Sequence, residues 1–471
     1  MARETEVLVV GAGPGGYVAA IKLGKLGKKT LLVDADSKLG GECLNYGCIP
    51  SKALIHAAGT AYKAKQAVGL LDGAGMALDW GKVQTWKNGV VSNLTRGIAM
   101  LERGNGVEVA FGRVRFTGDH EAVIASASGE EAVSFQNAVI ATGTRPSQLP
   151  GFETDGDVIT SKEALDLSPA PPRMLVVGAG VIGLEIGTFL AKLGTQVTVV
   201  EIGAQILPGV ESDLSAPVSR KLEKMGVTVW LNAKAKSCQR RPGDGLSVKV
   251  QVGDEERELE VDKILVSVGR SPQTGELGLA AAGVKTDPKG HVIVDEEGRT
   301  SAKNIFAIGD VVGPPYLAHK ASREGILAAL RIAGKPAPER GAVPWAVFSD
   351  PEIAFVGETE AEARSRGASV LTGRFPFTAS GRAMAVRETD GFVKVIADRQ
   401  SHQILGCGIV GPSASDLIGE ACLAVRVGAR LEDAASTIHP HPTLNEAFME
   451  ACEAALGEAI HIMAPAVSKT V

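Results

Sequence analysis

The sequence predicts an α/β chain built on two Rossmann-like dinucleotide-binding units, the second inserted in the first, with an α+β domain after them. Three observations carry this. A strand, a glycine-rich turn, a helix and a strand ending in an acid run through residues 7–34, and the same succession returns at 174–201. The interval from Gly11 to Asp34, 23 positions, is also the interval from Gly178 to Glu201, a coincidence that independent turns would not produce. From Pro344 onward the pattern changes to strands near Ile353, 392–397 and 406–410, with helices near 413–427 and 443–460.

Length and composition bound the answer. A chain of 471 residues has room for several domains, each large enough to bury a core. With 45% hydrophobic and 22% charged residues it reads as a soluble globular protein, and a net charge of -5 leaves no basic footprint for nucleic acid. No apolar run reaches the length of a membrane span. The N-terminus enters a strand directly, without a secretory or transit pattern, which predicts a cytoplasmic location.

In the first unit Gly11 makes the tight turn and Gly13 lets backbone amides reach a pyrophosphate at the helix that Pro14 and Gly15 open. Gly16 lets helix and strand pack closely. Asp34 is placed to accept hydrogen bonds from a ribose. The second unit repeats these roles in Gly178, Gly180 and Gly183, with Val181 and Ile182 opening the helix, Glu185 within it and Glu201 as the acid. Ile202, Gly203 and Ala204 follow, with no Arg or Lys to take a 2′-phosphate, so the second site favours NAD over NADP.

Between these units lies a pair of cysteines, Cys43 and Cys48, at the start of a helical pattern that also contains Lys52. On a regular helix residues five apart have Cα atoms roughly 8 to 9 Å apart, beyond a disulfide's reach, so a bridge requires a distorted turn. Gly47 permits the distortion, and Pro50 biases Ile49 away from helix. A zinc site would need ligands at closer spacing and two more of them, whereas Cys238, Cys407, Cys422 and Cys452 are isolated. Two unrelated buried thiols are the competing reading. In a reducing compartment a close pair points to redox catalysis.

Residues 53–103 read as helical, with His56 a packed helix residue, and strands follow from 107 to 140. Thr142 and Gly143 end one strand, and Pro169, Pro171 and Pro172 mark the linker into the second unit. Residues 261–272, with Gly269, mirror that exit. An apolar strand then ends in Gly309-Asp310, where an acid points into a ligand crevice or simply serves a turn. Leu317, Ala318 and His319 open a helix whose amides would face a polar ring edge; His319 reads equally as an exposed first-turn residue. Near the C-terminus, Thr443 and Glu446 fit a capping box, which by itself would account for Glu446. His441, held between prolines five residues earlier, would make with it an oriented acid/base, and His439 is the decoy beside it.

Together these residues resemble the pyridine nucleotide-disulfide oxidoreductases from residue 6 to about 460, and within them the branch that acts on dihydrolipoamide. The likeness is carried by Gly11 to Gly16, by residues 41–52 with Cys43 and Cys48, by the second glycine turn, by residues 307–310 and by residues 441–446. It implies an FAD-binding domain at 1–149 whose remainder, a central domain, lies at 271–343. It further implies an NAD-binding domain at 150–270 and a C-terminal dimerisation domain at 344–471. FAD would meet the first glycine turn, Asp34, Lys52, Val114, Thr142, Gly143, Asp310, Leu317, Ala318 and His319; NAD would meet the second turn, Glu185, Glu201 and Gly269.

The resemblance also assigns roles. Cys48 faces the flavin and Cys43 exchanges with lipoamide. His441, oriented by Glu446, takes the thiol proton across a homodimer. Lys52 sits by the flavin ring and pairs with Glu185, Asp310 holds the ribityl chain, and Val114 presents backbone to the adenine. The implied reaction is dihydrolipoamide + NAD⁺ giving lipoamide + NADH, with a lipoyl domain or protein of a 2-oxo acid dehydrogenase or glycine cleavage complex as partner, and no metal. Glutathione-type and mercuric reductases are the rivals, the first expecting basic residues after the second unit and the second a C-terminal cysteine pair; a non-catalytic dinucleotide-binding subunit is another. Glu42, Tyr46, Gln273 and Arg323 depart from the family pattern, and Glu42 beside Cys43 is expected to hinder formation of its thiolate.

Overall fold

Runs of β-branched and aliphatic residues such as Val7–Val10 mark a strand buried on both faces of a largely parallel sheet. Here Val7 and Val9 pack against helical residues such as Ala19, Leu23, Ile98 and Ala328, and Leu8 and Val10 against strand and loop residues such as Phe116, Ile124 and Leu277. The computed structural model describes residues 3–66, 78–241 and 245–463. The chain divides into two compact units, Met1–Ala170 with Leu265–Arg340, and Pro171–Ile264 with Gly341–Val471.

In the first unit Arg3–Val10 lies between Thr30–Asp34 and Gly129–Ile140, parallel to both. Glu108–Phe111 extends the sheet beyond Thr30–Asp34, and Ile305–Ala307 pairs in parallel with Gly129–Ile140. Val10 is in register with Val33 and Ile140, and Ile140 with Ala307. Four strands therefore end together, and the turns that follow them gather at one carboxyl edge, where such sheets bind ligands. Alternation along the strands divides the core: Val7, Val9, Leu32, Val139 and Phe306 are buried on one face, Leu8, Leu31, Val33 and Ile140 on the other. Helix Pro14–Lys25 meets helix Ala318–Ile332 so closely that a Cβ on Gly325 would lie 2.5 Å from the Gly15 carbonyl oxygen. The region expected to be helical at 53–103 contains the end of helix Cys48–Gln66 and most of Trp80–Gly104; its residues 67–77 lie outside the described residues.

In the second unit Arg173–Val177, Gln196–Val200 and Thr228–Trp230 are parallel, and helix Val181–Leu193 connects the first two. Ala233–Arg240, Leu246–Val252 and Glu255–Val261 follow as an antiparallel sheet. The C-terminal part is an antiparallel sheet ordered Trp345–Val347, Glu352–Gly357, Ile404–Gly411, Phe392–Asp398, Val370–Pro376. Helices Ala414–Val427 and Glu446–Leu456 share its core with Phe375, Ile409 and Phe448. The helix expected from 443 starts at Glu446, because Thr443 is spent on the entry turn. No helix of the described residues is long and apolar enough to cross a membrane.

Candidate active site

The helix carrying the cysteines is broken, and the break lets them bond. Cys43 lies in the short helix Gly41–Tyr46, and Cys48 opens the next, Cys48–Gln66. Between them Gly47 takes φ -138° and ψ -106°, and a Cβ there would lie 3.1 Å from the Glu42 carbonyl oxygen. The chain thus folds back on its own preceding turn. The Cα atoms come within 4.8 Å and the Cys43–Cys48 disulfide is formed. The expected contribution of Pro50 is corrected: Ile49 is helical, and Pro50 sits in the first turn, where a missing N–H breaks no helical bond. Lys52 stands one turn beyond Cys48 on the same helix.

The bridge is fastened to the first glycine turn. Gly40 donates its N–H to the Ala12 carbonyl at 2.9 Å, and a Cβ on Gly41 would lie 2.5 Å from Gly13 Cα. Asn45 Nδ2 closes the segment with bonds to the Leu39 and Gly41 carbonyls, both 3.0 Å. Within the turn, Gly11 takes φ +101°, and a Cβ on Gly16 would lie 1.7 Å from the Gly11 oxygen, so no larger residue fits. A Cβ on Gly13, Gly143 or Gly180 would meet nothing within 4 Å. At Gly13 and Gly180, the N-caps of helices Pro14–Lys25 and Val181–Leu193, this open space fits the phosphates of dinucleotides.

Asp34 and Glu201 prove to be turn fasteners as well as candidate ribose acceptors. Asp34 accepts the Ala12 N–H at 2.5 Å on one oxygen and the Asp36 N–H at 2.7 Å on the other. Glu201 repeats the pattern with Ala179 at 2.8 Å and Gly203 at 2.7 Å. Each carboxylate keeps lone pairs for a hydroxyl. Burial raises the Asp34 carboxyl above its ordinary value, and the backbone bonds pull it back only in part.

The rest of the expected FAD set gathers in the first unit. Gly112 donates to the Asp34 carbonyl at 2.8 Å and brings Val114 beside that strand end. The outgoing strand Thr144–Pro146 and the returning strand Arg270–Pro272 pair antiparallel just beyond Thr142 and Gly143. Gln273, a departure from the family pattern, closes this crossing by donating to the Thr142 carbonyl at 2.9 Å. Asp310 follows strand Ile305–Ala307 and accepts from Thr144 Oγ1 at 3.1 Å; burial raises its carboxyl. Leu317 precedes the helix that Ala318 and His319 begin.

Sequence reasoning missed the supports of this corner. Lys320, 3% exposed, donates to the Gly313 carbonyl at 3.2 Å, and Glu324 accepts the Gly309 N–H at 2.9 Å. Their spacing of one helical turn was the available signal, and it is also the spacing of ordinary surface pairs. Of the expected NAD set, Gly178, Gly180, Val181, Ile182, Gly183, Glu185 and Glu201 cluster in the second unit, with Glu185 buried and accepting the Phe348 N–H at 2.9 Å. Gly269, at φ +123°, belongs to the first unit.

The histidine pair stands in the second unit. His441 Nδ1 lies 2.8 Å from Glu446 Oε1, while Glu446 Oε2 accepts the Thr443 N–H at 2.8 Å. Half of the expected capping box exists: the Thr443 hydroxyl has no partner among the described residues. Burial pushes the Glu446 carboxyl up, but the Thr443 amide and His441 outweigh it, so it lies below the ordinary range and stays charged. The His441 side chain is 79% exposed and offers Nε2 outward. His439 is held instead, with Nε2 2.9 Å from Glu420 Oε1. Cys407 and Cys452 are buried, and burial pushes both thiols up, which leaves them inert.

Comparison with known proteins finds relatives over nearly the whole chain. Residues 5–325 match the family described as pyridine nucleotide-disulphide oxidoreductase, and residues 343–452 match its dimerisation domain. The dihydrolipoyl dehydrogenase of Haloferax volcanii is 48% identical over 470 residues, 98% of each chain, and that of Geobacillus stearothermophilus 46% identical over 464 residues, again 98% of each. Among solved structures, LpdA of Mycobacterium tuberculosis superposes with a TM-score of 0.88 at 27% identity, covering 95% of this chain and 99% of that one. The HOCl-induced flavoprotein disulfide reductase RclA of Escherichia coli, as its Cu(II) complex, gives 0.86 at 26% identity, covering 96% and 99%.

Proposed function

Since the chain belongs to the pyridine nucleotide-disulphide oxidoreductase family, we propose that it oxidises dihydrolipoamide with NAD⁺, giving lipoamide, NADH and a proton. The observation that carries this is the Cys43–Cys48 bridge fastened by Gly40 and Gly41 onto the first glycine turn, which puts a reducible disulfide beside a dinucleotide cradle. The first unit, through Asp34, Lys52, Val114, Thr142, Asp310 and residues 317–319, would hold FAD. The second glycine turn, with Glu185 and Glu201, would hold NAD. When bound, FAD supplies the two-electron relay between the protein's dithiol and NAD⁺.

The remaining steps belong to the chain. A substrate thiolate attacks Cys43 Sγ, forming a mixed disulfide and releasing the electron pair onto Cys48. The second substrate thiolate attacks the substrate sulfur of that bond, closing lipoamide and freeing Cys43. His441 takes the thiol proton, and the charged Glu446 carboxylate orients the ring and stabilises its imidazolium form. The working form would be a cytoplasmic homodimer in which residues 344–471 close the interface and His441 serves the partner's cysteines. A lipoyl domain or protein of a 2-oxo acid dehydrogenase or glycine cleavage complex would deliver the substrate.

One experiment tests the assignment. The purified protein is expected to be yellow and, under anaerobic titration, to be reduced by both dihydrolipoamide and NADH, with NADPH a far poorer reductant. Colourless protein that cannot be reconstituted with FAD, or a preference for NADPH, would overturn it.

A further inference from the structure

Cys43 follows an acid that neither its helix nor its bridge requires. The Glu42 carboxylate pairs with Arg270 at 2.5 Å, and both side chains are partly buried, 32% and 15% exposed. Arg270 lies on the returning strand Arg270–Pro272, 228 positions away in sequence. Its Nε donates to Thr144 Oγ1 at 2.7 Å and its Nη2 to the Thr144 carbonyl at 3.0 Å. Thr144 Oγ1 continues to Asp310 Oδ2 at 3.1 Å. A polar chain therefore runs from the residue beside the redox sulfur to the acid in the crevice. Asp310 registers both ends of it: burial raises its carboxyl, Thr144, Arg270 and Lys320 pull it down, and Glu42 pushes it up.

We propose that Arg270 is a positioning residue for Cys43: it neutralises Glu42 and anchors it to the strand crossing, so that Cys43 becomes a reactive thiolate despite an acid next to it. The expected hindrance by Glu42 is thereby offset within the fold. The inference rests on reading Cys43 as the exchanging sulfur, but not on the identity of the substrate. Other charges stand on the surrounding elements: Lys52 on the following helix, Lys320 and Asp310 on the return, and Asp36, which holds the Tyr46 hydroxyl at 2.7 Å. They are common to every variant below and cancel in the comparison.

The test measures Cys43 directly. Holoenzyme reduced anaerobically with dithiothreitol is treated with iodoacetamide across pH, and alkylation at Cys43 is followed by peptide mass spectrometry, with flavin absorbance and melting temperature recorded alongside. One uncompensated charge on the residue adjacent to Cys43, in a partly solvated site, changes thiolate formation by about tenfold. Arg270→Met is expected to slow alkylation near neutral pH by about that factor and raise the rate–pH midpoint by about one unit, while Glu42→Gln speeds it. The double variant returns to within about twofold of the unaltered protein, and Arg270→Lys stays close to it. A double variant as slow as Arg270→Met would overturn the proposal and assign Arg270 to folding alone. Unchanged alkylation in Arg270→Met would also overturn it. If Arg270→Met fails to fold, Glu42→Gln decides: faster alkylation supports the proposal and an unchanged rate rejects it. No lipoamide enters the assay, so a negative result leaves the assigned reaction standing.

Discussion

Glu446 divides its two carboxylate oxygens between architecture and chemistry, one on the Thr443 amide and one on His441. Replacing His441 by Ala removes the base and leaves the amide bond, so the fold should persist. NADH oxidation by ferricyanide is expected to continue, while dihydrolipoamide turnover falls by about 10²–10⁴-fold, the usual weight of a positioned base. Equal loss of both activities would reassign His441 to support. Glu102 has no such division: it is 0% exposed, neither oxygen has a partner among the described residues, and burial raises its carboxyl to about 8. The unfolded chain releases this proton near the ordinary value of 4.5, whereas the folded chain keeps it until about 8. Between those limits the folded state binds more protons, and stability drains away as pH rises. Glu102→Gln should flatten the fall in melting temperature from acidic to mildly alkaline pH; an unchanged slope would show that Glu102 is charged and paired.

Elements are held at distances that only glycine allows, and two such contacts separate the halves of the site. A Cβ on Gly16 would strike the Gly11 carbonyl oxygen at 1.7 Å, where helix Pro14–Lys25 leaves the sheet. A Cβ on Gly373 would strike the Ala451 carbonyl oxygen at 1.9 Å, where strand Val370–Pro376 supports helix Glu446–Leu456. Gly16→Ala is therefore expected to yield protein with little flavin and no activity of any kind. Gly373→Ala should shift the helix that begins at Glu446, keep the flavin, and lose dihydrolipoamide turnover ahead of ferricyanide reduction. Flavin content and the two activities, measured side by side, check both outcomes; a Gly373→Ala protein with both activities intact would mean that the sheet yields rather than the helix.

At the scale of the molecule, the disulfide and the histidine pair lie in different compact units, and family membership brings in a second copy of the chain. If His441 serves the partner's cysteines as proposed, mixing Cys43→Ala with His441→Ala chains under subunit exchange should restore activity, because a mixed dimer would then pair one intact cysteine site with the other chain's His441. Random exchange would recover about a quarter of the unaltered rate; no recovery in verified mixed dimers would place His441 in its own chain's site. What the residues alone determined is local: glycine turns with an acid at fixed spacing, the Cys43/Cys48 pair and the histidine beside a cap were all legible, because each depends on backbone freedom or on neighbours within a turn or two. The packed structure decided the rest. Where the helix breaks was open between Gly47 and Pro50 until packing placed Gly47 against the preceding turn, Arg270 and Thr144 gave no signal in the sequence, and the spacing of Lys320 from Glu324 did not set it apart from an ordinary surface pair. The pairing of Glu42 with Arg270 spans 228 positions and that of Thr144 with Asp310 spans 166; the second meets because parallel strands end in register at one edge of a sheet, and the first because Arg270–Pro272 returns antiparallel beside Thr144–Pro146. A charge's effect depends on what packing sets beside it, and local periodicity carries no record of that.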